Sequence, residues 1–558
     1  MMSRLAEDQN LSLRDPGTVM RLDRLGSFHQ CRLSFMRTLL RRLKRENWRF
    51  TRPVFDIDAK GVGTAVYTAY GPSETYSLIC FGHDLPADQR SDRVIAHAWD
   101  STFTLFKGSP TDADIARLRE NVPKQEAGRI TEQEVSLSRA NRSVRLFEHV
   151  VSRLAQGKQP DRKQVENVGY LMRTTAVYGS GKFGAADHPK GALPFQTEML
   201  SVFLTRAYTL DLVEHMAHQS APDTAVAIAP DLRRRFGVGN STGLGMAPFI
   251  INHPVLLNNW IAARETALAR VRALPKATDA DIGTFNALVE RAAVNVENWH
   301  SAHPIQVEKI AALKTDLQTL RIHLNTAPLA SDAPWERLYR WAETTLSLEG
   351  QEQLVSLMLE PYGDLVDDLT NTMGADEAAC FAIDGAMKLA TIKSILTTVF
   401  GWAVDTDWTA RDANARVWYT SEEKLEPRLG ERFEEPIEPY EQPLAPARDA
   451  ALMHADLARW DDTASLAEFL LRHPEHRHTA RRAQIAKRFA YAELRDNTIA
   501  SDMLPIDLLR CKLSFFGATH FDPRSDRWVR ITMFQNAPFP HELADMSDAD
   551  DWSYPCIP

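Results

Sequence analysis

Residues 233–272 read RRRFGVGNSTGLGMAPFIINHPVLLNNWIAARETALARVR, and this stretch decides both the fold and the site that we predict. Three arginines lead into a glycine-rich segment, and Pro254 then begins a run with apolar residues at helical spacing. Glycine lets the backbone approach a ligand closely, and the unpaired N–H groups at a helix start attract anions. The stretch therefore predicts a site for a phosphate or carboxylate group. Tight packing between two helices would explain the same glycines and stays open as an alternative.

A second glycine-rich segment, YGSGKFG at residues 178–184, contains the letters of a dinucleotide-binding fingerprint. That fingerprint requires a strand before the glycines and a helix directly after them. Residues 161–177 instead predict a helix with Asp161 as its N-cap, so we interpret the segment as an anion-binding turn. Lys182 is not followed by Ser or Thr, which excludes a phosphate loop of the ATPase kind.

The two glycine-rich segments would form one anion pocket if they met in space. Arginine forks suit carboxylate and phosphate oxygens, and histidine is the usual proton carrier near neutral pH. We predict catalytic roles for His253, Lys182 and His188, although His253 precedes Pro254 and could serve packing alone. The predicted substrate-binding residues are Arg173, Gly179, Gly181, Gly184, Arg233, Arg234, Gly239, Asn240, Ser241, Thr242 and Gly243.

Two kinds of residue cluster, acidic and histidine-containing, could bind a metal ion. Asp364 and Asp368 would share one helix face and could hold Mg²⁺, but acids are also favoured at the start of a helix by its dipole. The histidine groups at 215 and 218, at 300 and 303, and at 473, 476 and 478 lack the HExxH pattern and neighbouring cysteines. We predict no metal site, and the cofactor cannot be predicted from the sequence.

Composition places the chain among ordinary globular proteins. It has 558 residues, 44% of them hydrophobic and 25% charged, with a net charge of −9 that argues against general nucleic-acid binding. Five scattered cysteines favour a reducing compartment. We see no apolar run of membrane-spanning length and no secretory leader, so we expect a cytoplasmic protein without a membrane partner.

The periodicity predicts an α+β, predominantly α-helical fold. Residues 48–107 are rich in aromatic and β-branched residues with turn signals, which indicates an antiparallel meander. We predict a large helical domain with a small antiparallel sheet built from this N-terminal meander and a C-terminal hairpin. The predicted domains are 1–134 (basic helix and meander), 135–405 (helical, with the glycine-rich turns), 406–447 (Glu/Pro-rich loop) and 448–558 (helices, hairpin and acidic tail).

These features favour a metabolic enzyme that acts on a small anionic substrate, a carboxylate or a phosphate, with the reaction class undetermined. We also allow for a homo-oligomer. One alternative is a helical scaffold that binds proteins through the basic amphipathic helix at 28–48 and the Glu/Pro-rich loop. Another is a peripheral membrane protein, because a basic amphipathic helix can lie on an anionic lipid surface.

Overall fold

A computed structural model of the protein describes most of the chain. The described residues are 11–90, 99–121, 131, 133–174, 195–240, 254–297, 299, 304–373, 382–408, 420–421, 424–427, 445–495, 505–517, 520–522 and 530–553.

The strands of the described residues form one large sheet and one two-stranded sheet. They are β1 Arg49–Ile57, β2 Gly63–Tyr70, β3 Thr75–Gly82, β4 Ser101–Lys107, β5 Glu134–Arg142, β6 Tyr170–Thr174, β7 Gly237–Asn240, β8 Thr420–Ser421, β9 Lys424–Pro427, β10 His520–Asp522 and β11 Arg530–Met533. The large sheet has nine strands in the order β1-β2-β3-β4-β5-β6-β7-β11-β10, and β8 pairs with β9. Neighbours in the large sheet are antiparallel except β6 and β7, which run parallel.

The predicted fold class is wrong, because the sheet is neither small nor entirely antiparallel. Strands β1–β4 do fall within residues 48–107, but the sheet continues through β5, β6 and β7. Strand β11 pairs with β7 and not with the meander, so that Ile531 lies opposite Asn240. The pairs that enlarge the sheet join segments far apart in the chain, and local periodicity cannot reveal them.

Most of the remaining described residues are helical. They are α1 Pro16–Val19, α2 Phe35–Arg45, α3 Asp112–Asn121, α4 Phe147–Ala155, α5 Arg162–Val168, α6 Phe195–Ser220, α7 Pro230–Arg234, α8 Pro254–Arg272, α9 Asp279–Glu297, α10 Pro304–Thr326, α11 Pro334–Thr345, α12 Leu348–Met358, α13 Gly363–Val366, α14 Leu389–Val404, α15 Ala445–Leu457, α16 Leu466–Arg472, α17 Arg477–Arg488 and α18 Pro505–Phe516. Helix α8 begins at Pro254, where the missing N–H of proline leaves no hydrogen bond unmade.

One of the predicted helices, residues 161–177, contains a strand. Asp161 does cap α5, since its side chain accepts a hydrogen bond of 2.8 Å from the backbone N–H of Gln164. The helix ends at Val168 because Gly169 adopts a left-handed φ of 75°, a conformation that glycine reaches without strain. Strand β6 follows at once. The prediction of a helix before the glycines at 178–184 is therefore wrong.

The first residues of the predicted helical domain 135–405 also form a strand. Strand β5 occupies Glu134–Arg142 and pairs with β4 on one side and β6 on the other. Helix α4 begins only at Phe147. A strand with neighbours on both sides is held by its ladder hydrogen bonds, and these override the helical appearance of its sequence.

The chain divides into two compact units. The helical unit comprises Met1–Leu33, Gly243–Phe515 and Pro523–Val529, and the sheet unit comprises Ser34–Thr242, Phe516–Asp522 and Arg530–Pro558. Both units are therefore built from segments that are distant in sequence. The predicted domain limits remain a prediction.

Helix α6 forms the centre of the sheet unit. It contacts strands β2 to β7. The Phe203 ring lies 6.0 Å from the Phe50 ring of β1 and 5.3 Å from the Phe534 ring that follows β11. The sheet therefore curves around α6, and residues from both of its ends reach the same helix.

Helix α2 buries the apolar stripe that suggested a membrane-binding or partner-binding face. Phe35, Met36, Leu39, Leu40 and Leu43 are all at most 1% exposed. The stripe packs inside the sheet unit, as amphipathic helices of globular proteins usually do. Among the described residues, no helix combines the length and apolar character needed to cross a bilayer.

The helical unit holds a buried cluster of opposite charges. Arg14 donates through Nε to Glu265 at 2.7 Å and through Nη1 to Glu352 at 2.8 Å. Arg264 also contacts Glu265, at 3.0 Å, and Arg24 contacts Glu352, at 3.1 Å. Each carboxylate is thus shared by two guanidinium groups, which compensates its loss of hydration.

Candidate functional site

A pocket of about 860 Å³ opens in the sheet unit between the start of β1, the end of β2 and helix α6. Such a volume is typical of sites for small molecules. Its lining combines cationic and aromatic side chains with one carboxylate. The lining residues are Trp48, Arg49, Phe50, Thr51, Arg52, Tyr67, Tyr70, Leu204, Ala207, Asp211, Arg233, Phe539, Pro540 and His541.

Asp211 on α6 organises the polar part of this pocket. Its Oδ2 accepts hydrogen bonds from the Tyr67 hydroxyl and from Arg52 Nη1, both at 2.8 Å, and its Oδ1 accepts one from Arg233 Nη2 at 3.2 Å. Arg233 also donates to both oxygens of Glu214, at 2.7 and 2.8 Å. Asp211 therefore holds two arginines and a tyrosine in place.

The charges of the pocket leave an excess of positive charge. The pocket has three arginines, Arg49, Arg52 and Arg233, whereas two carboxylates, Asp211 and Glu214, contact them. Within the described part of the chain Arg49 makes no ion pair, whereas the other two arginines do. The guanidinium of Arg49 is thus the cation of this pocket that a bound anion could take as its partner.

Burial and the charge of Asp211 determine the protonation of Tyr67 and Arg52. Burial raises the pKa of the Tyr67 phenol, and the Asp211 carboxylate raises it further, so Tyr67 remains a hydrogen-bond donor at neutral pH. Burial would lower the pKa of Arg52, but the charge of Asp211 outweighs it and raises that pKa. Neither group can act as a base near neutral pH.

The apolar wall of the pocket is aromatic. The Arg233 guanidinium lies 5.4 Å from the centre of the Phe539 ring, and the His541 ring lies parallel to the Phe539 ring at 5.9 Å. Trp48 and Tyr70 complete the wall at the start of β1 and the end of β2. Flat aromatic faces of this kind suit a planar ligand.

The structure separates two neighbouring arginines among the predicted substrate-binding residues. Arg233 lines the pocket. Arg234 instead contacts Glu542 at 2.8 Å, and its side chain is 47% exposed. The two side chains point to different partners because adjacent residues of the short helix α7 project from different sides.

The other described predictions lie on the parallel pair β6 and β7. Arg173 is the register partner of Gly239, and Thr174 is that of Asn240. In sequence, residues 179–184 come after β6 and residues 241–243 come after β7, and the carboxyl ends of parallel strands are a common location of ligands. The remaining predicted residues fall outside the described residues: Gly179, Gly181, Lys182, Gly184, His188, Ser241, Thr242, Gly243 and His253.

Strands β6 and β7 are parallel neighbours, and α6 lies between them in the chain, so the three elements form a βαβ arrangement. The predicted helix before the glycines had argued against such an arrangement. The glycines at 179, 181 and 184 follow a strand after all. Helix α6 is described from Phe195 onwards, and residues 185–194 lie outside the described residues. The dinucleotide fingerprint requires a helix directly after the glycines, and the described residues do not show one there.

Packing accounts for the glycine at position 239. A Cβ there would lie 2.6 Å from the Tyr170 ring of the neighbouring strand. We expect Gly239→Ala to lower the free energy of unfolding by about 1–3 kcal/mol through overpacking, measured by urea denaturation. Gly283→Ala is the control, because no atom lies within 4 Å of its added Cβ and alanine favours helices. Unchanged stability of Gly239→Ala with weaker ligand binding would instead assign this glycine to a ligand.

The acidic motif at 360–368 is engaged by arginines of the helical unit. Asp367 accepts two hydrogen bonds of 2.8 Å from Arg32, and Asp368 accepts one of 2.7 Å from Arg270. These ion pairs engage the carboxylates of Asp367 and Asp368. Of the two carboxylates considered for Mg²⁺, Asp368 is therefore held by an arginine.

The pocket residues that the sequence analysis missed are Arg49, Arg52, Tyr67, Asp211 and His541. They come from three separate regions of the chain and follow no local motif. Comparison of the chain with protein-family models, with curated proteins and with solved structures finds no significant match. The site must therefore be interpreted from its own chemistry.

Proposed function

We propose that the sheet unit binds a small, planar anion in the pocket at Asp211, and that the protein is an enzyme acting on such a compound. The observation that carries the proposal is the Arg49 side chain, a cation without an ion pair among the described residues, beside an aromatic wall. The anionic group of the ligand would pair with Arg49, and its flat body would lie against Trp48, Tyr70 or Phe539.

The arrangement of Asp211 supports an anionic rather than a cationic ligand. Both of its oxygens accept hydrogen bonds from protein donors, so its charge is already neutralised. A cationic ligand would have to displace an arginine from it. An anionic ligand could instead pair with Arg49 and with Arg52, whose side chain is 46% exposed.

Acid–base chemistry in this pocket would fall to His541. It is the histidine of the lining, and imidazole carries protons near neutral pH. Tyr67 would act beside it as a fixed hydrogen-bond donor, because its phenol keeps its proton. This assignment replaces none of the predicted catalytic residues, which remain proposals.

The glycine-rich segments remain a second proposed site for the same class of ligand. The observation in its favour is the register of β6 and β7, in which Thr174 and Asn240, the last residues of the two strands, are partners. Backbone N–H groups of such segments could bind a phosphate or carboxylate group. The two sites are distinguished by variants of Arg49 and Lys182.

Binding of benzoate and phenyl phosphate, compared with the neutral benzamide, tests the proposal. We expect both anions to raise the melting temperature and benzamide to have little effect, because a ligand that prefers the folded state stabilises it. Arg49→Ala should weaken binding of the anions by about 10–150-fold in calorimetry, the value of one hydrogen bond to a charged group. Its melting temperature without ligand should be unchanged.

Arg45→Ala provides the matched control, since Arg45 is a 61% exposed arginine outside the pocket. Its affinity for the anions should equal that of the wild type. Equal affinity in Arg49→Ala together with weaker binding in Lys182→Ala would move the site to the glycine-rich segments. Equal binding of benzamide and benzoate would refute an anion site altogether.

The scaffold and membrane alternatives receive less support. The basic helix α2 uses its cations within the sheet unit, where Arg42 pairs with Glu46 and Glu74, and Lys44 with Asp548. Most of the Glu/Pro-rich segment at 406–447 lies outside the described residues. No observation therefore favours either alternative over a small-molecule site.

A further inference from the structure

Two histidines and two carboxylates meet at one point of the helical unit, away from the ion pairs described above. They are Asp456, His473, Glu475 and His476. One potential ligand atom of each residue lies within 4.8 Å of those of the other three. We propose that these four side chains bind a divalent metal ion of the zinc type.

The backbone brings the four residues together from two separate segments. Asp456 lies in the last turn of α15, whereas His473, Glu475 and His476 belong to the connection between α16 and α17. This connection is well defined: the His473 N–H bonds to the Phe469 carbonyl at 2.9 Å, and the His476 N–H to the His473 carbonyl at 3.2 Å. Such a tight turn presents both imidazoles to the end of α15.

Both imidazole rings are fixed by the same buried phenylalanine. The ring of His473 lies 4.8 Å from that of Phe469, and the ring of His476 lies 5.7 Å from it, nearly parallel at 9°. Phe469 belongs to the apolar core that α14 to α17 share. Metal sites require imidazoles whose orientation is set before the ion arrives, and this stacking provides it.

The distances are close to those of a four-coordinate site. His476 Nε2 lies 2.8 Å from Asp456 Oδ2, and His473 Nδ1 lies 3.1 Å from Glu475 Oε1. Bonds of about 2.0–2.2 Å in a tetrahedron separate ligand atoms by roughly 3.3–3.6 Å. The two measured pairs are slightly closer than this and all four ligand atoms lie within 4.8 Å of one another, so binding requires only a local rearrangement. The Glu475 side chain, which is 59% exposed, can adjust.

The donor set selects the kind of metal. Two imidazole nitrogens disfavour Mg²⁺ and Ca²⁺, which prefer oxygen ligands, and the cluster contains no thiolate for copper(I) or an iron–sulfur cluster. Imidazole with carboxylate suits Zn²⁺ and similar ions. One further charge lies nearby, because Arg459 contacts Asp456 Oδ1 at 3.5 Å and leaves Oδ2 for the ion.

The histidines at 473, 476 and 478 predict no metal by themselves, because they lack the HExxH pattern and neighbouring cysteines. The structure supplies Asp456 and Glu475 in addition. An ion at this point would link the end of α15 to the turn before α17. We therefore expect it to stabilise the folded chain.

Metal titration of the full chain after treatment with a chelator tests the proposal. We expect calorimetry to show one tightly bound Zn²⁺ per chain at this cluster and Zn²⁺ to raise the melting temperature. His473→Gln and Glu475→Gln should each weaken binding by about a hundredfold or more, since even outer partners of metal ligands are worth about 10–100-fold. These residues are preferred to His476, which is buried and whose loss could unfold the chain.

His478→Gln is the matched control, because His478 is an exposed histidine of the same region outside the cluster. It should bind Zn²⁺ like the wild type. Co²⁺ provides a spectroscopic check, and a thiolate charge-transfer band would place the ion on a cysteine and overturn the proposal. The proposal is overturned if both cluster variants bind Zn²⁺ with the affinity of the wild type, or if Zn²⁺ does not change the melting temperature of the wild type. The four residues would then form two ion pairs and no metal site.

Discussion

Arg14→Ala is expected to lower the free energy of unfolding by about 3–5 kcal/mol, the usual cost of removing one partner from a buried ion pair. The guanidinium of Arg14 bonds to both Glu265 and Glu352, whose side chains are 0% and 1% exposed. Its removal leaves each carboxylate with less compensation for its lost hydration. Urea denaturation of the full chain measures the effect.

The stability lost in this variant should depend on pH. Burial would raise the pKa of Glu265 and Glu352, but Arg14, together with Arg264 and Arg24, outweighs burial and lowers both pKa values below 4.5. In the wild type their contribution to stability is present above pH 4.5 and is lost as the pH falls through the lowered values. Without Arg14 the two pKa values are lowered less, so less of this contribution remains to be lost, and the deficit of the variant should shrink as the pH falls below 4.5.

Arg340→Ala serves as the control for Arg14. Arg340 also bonds to two glutamates, Glu336 and Glu343, but its side chain is 63% exposed. Exposed pairs contribute no more than about 1 kcal/mol because water and salt screen them. A loss of the same size in both variants would show that burial of the Arg14 cluster is not the cause.

Asp550→Ala is the second substitution with a large expected effect, again about 3–5 kcal/mol. Asp550 Oδ2 accepts hydrogen bonds from Arg37 Nε at 3.1 Å and from Arg41 Nη1 at 2.5 Å, and the side chains of Asp550 and Arg37 are fully buried. Alanine removes the carboxylate that these two cations of α2 share. Chemical denaturation with a probe in the sheet unit measures the loss.

Two further variants separate charge from backbone at this position. Asp550 has a positive φ of 51°, which alanine tolerates less well than asparagine does. Asp550→Asn keeps that tolerance and one acceptor oxygen, so it should cost less than alanine but still destabilise. Asp548→Ala removes an 86% exposed partner of Lys44 and should cost no more than about 1 kcal/mol. If Asp550→Asn were as stable as the wild type, the charge of Asp550 would be unimportant.

Local sequence patterns predicted the local elements of this fold but not its long-range pairing. The alternation in residues 48–107 indicated strands, and Asp161 marked the start of α5 correctly. Strand β5 was mistaken for helix, because its hydrogen-bond partners on two sides, and not its composition, determine its conformation. The pairing of β7 with β11 joins residues from opposite halves of the chain, which no local period records.

The candidate sites show the same limit. Arg233 was selected from the sequence because it precedes a glycine-rich segment, yet in the pocket it is held by Asp211 and Glu214 of α6. Arg49 and His541 carry no sequence signal that connects them. For the metal cluster, the histidine spacing was visible, but Asp456 comes from another helix. Residues that meet only through the tertiary fold cannot be found from their spacing.

The late pairing of β7 has a consequence for synthesis of the protein on the ribosome. Its outer neighbour β11 is translated only after residues 241–529, which takes tens of seconds at about 5–20 residues per second. During that time the edge of β7 presents unpaired backbone groups to other nascent chains. Truncated translation products that end before β11 are therefore expected to aggregate or to depend on chaperones.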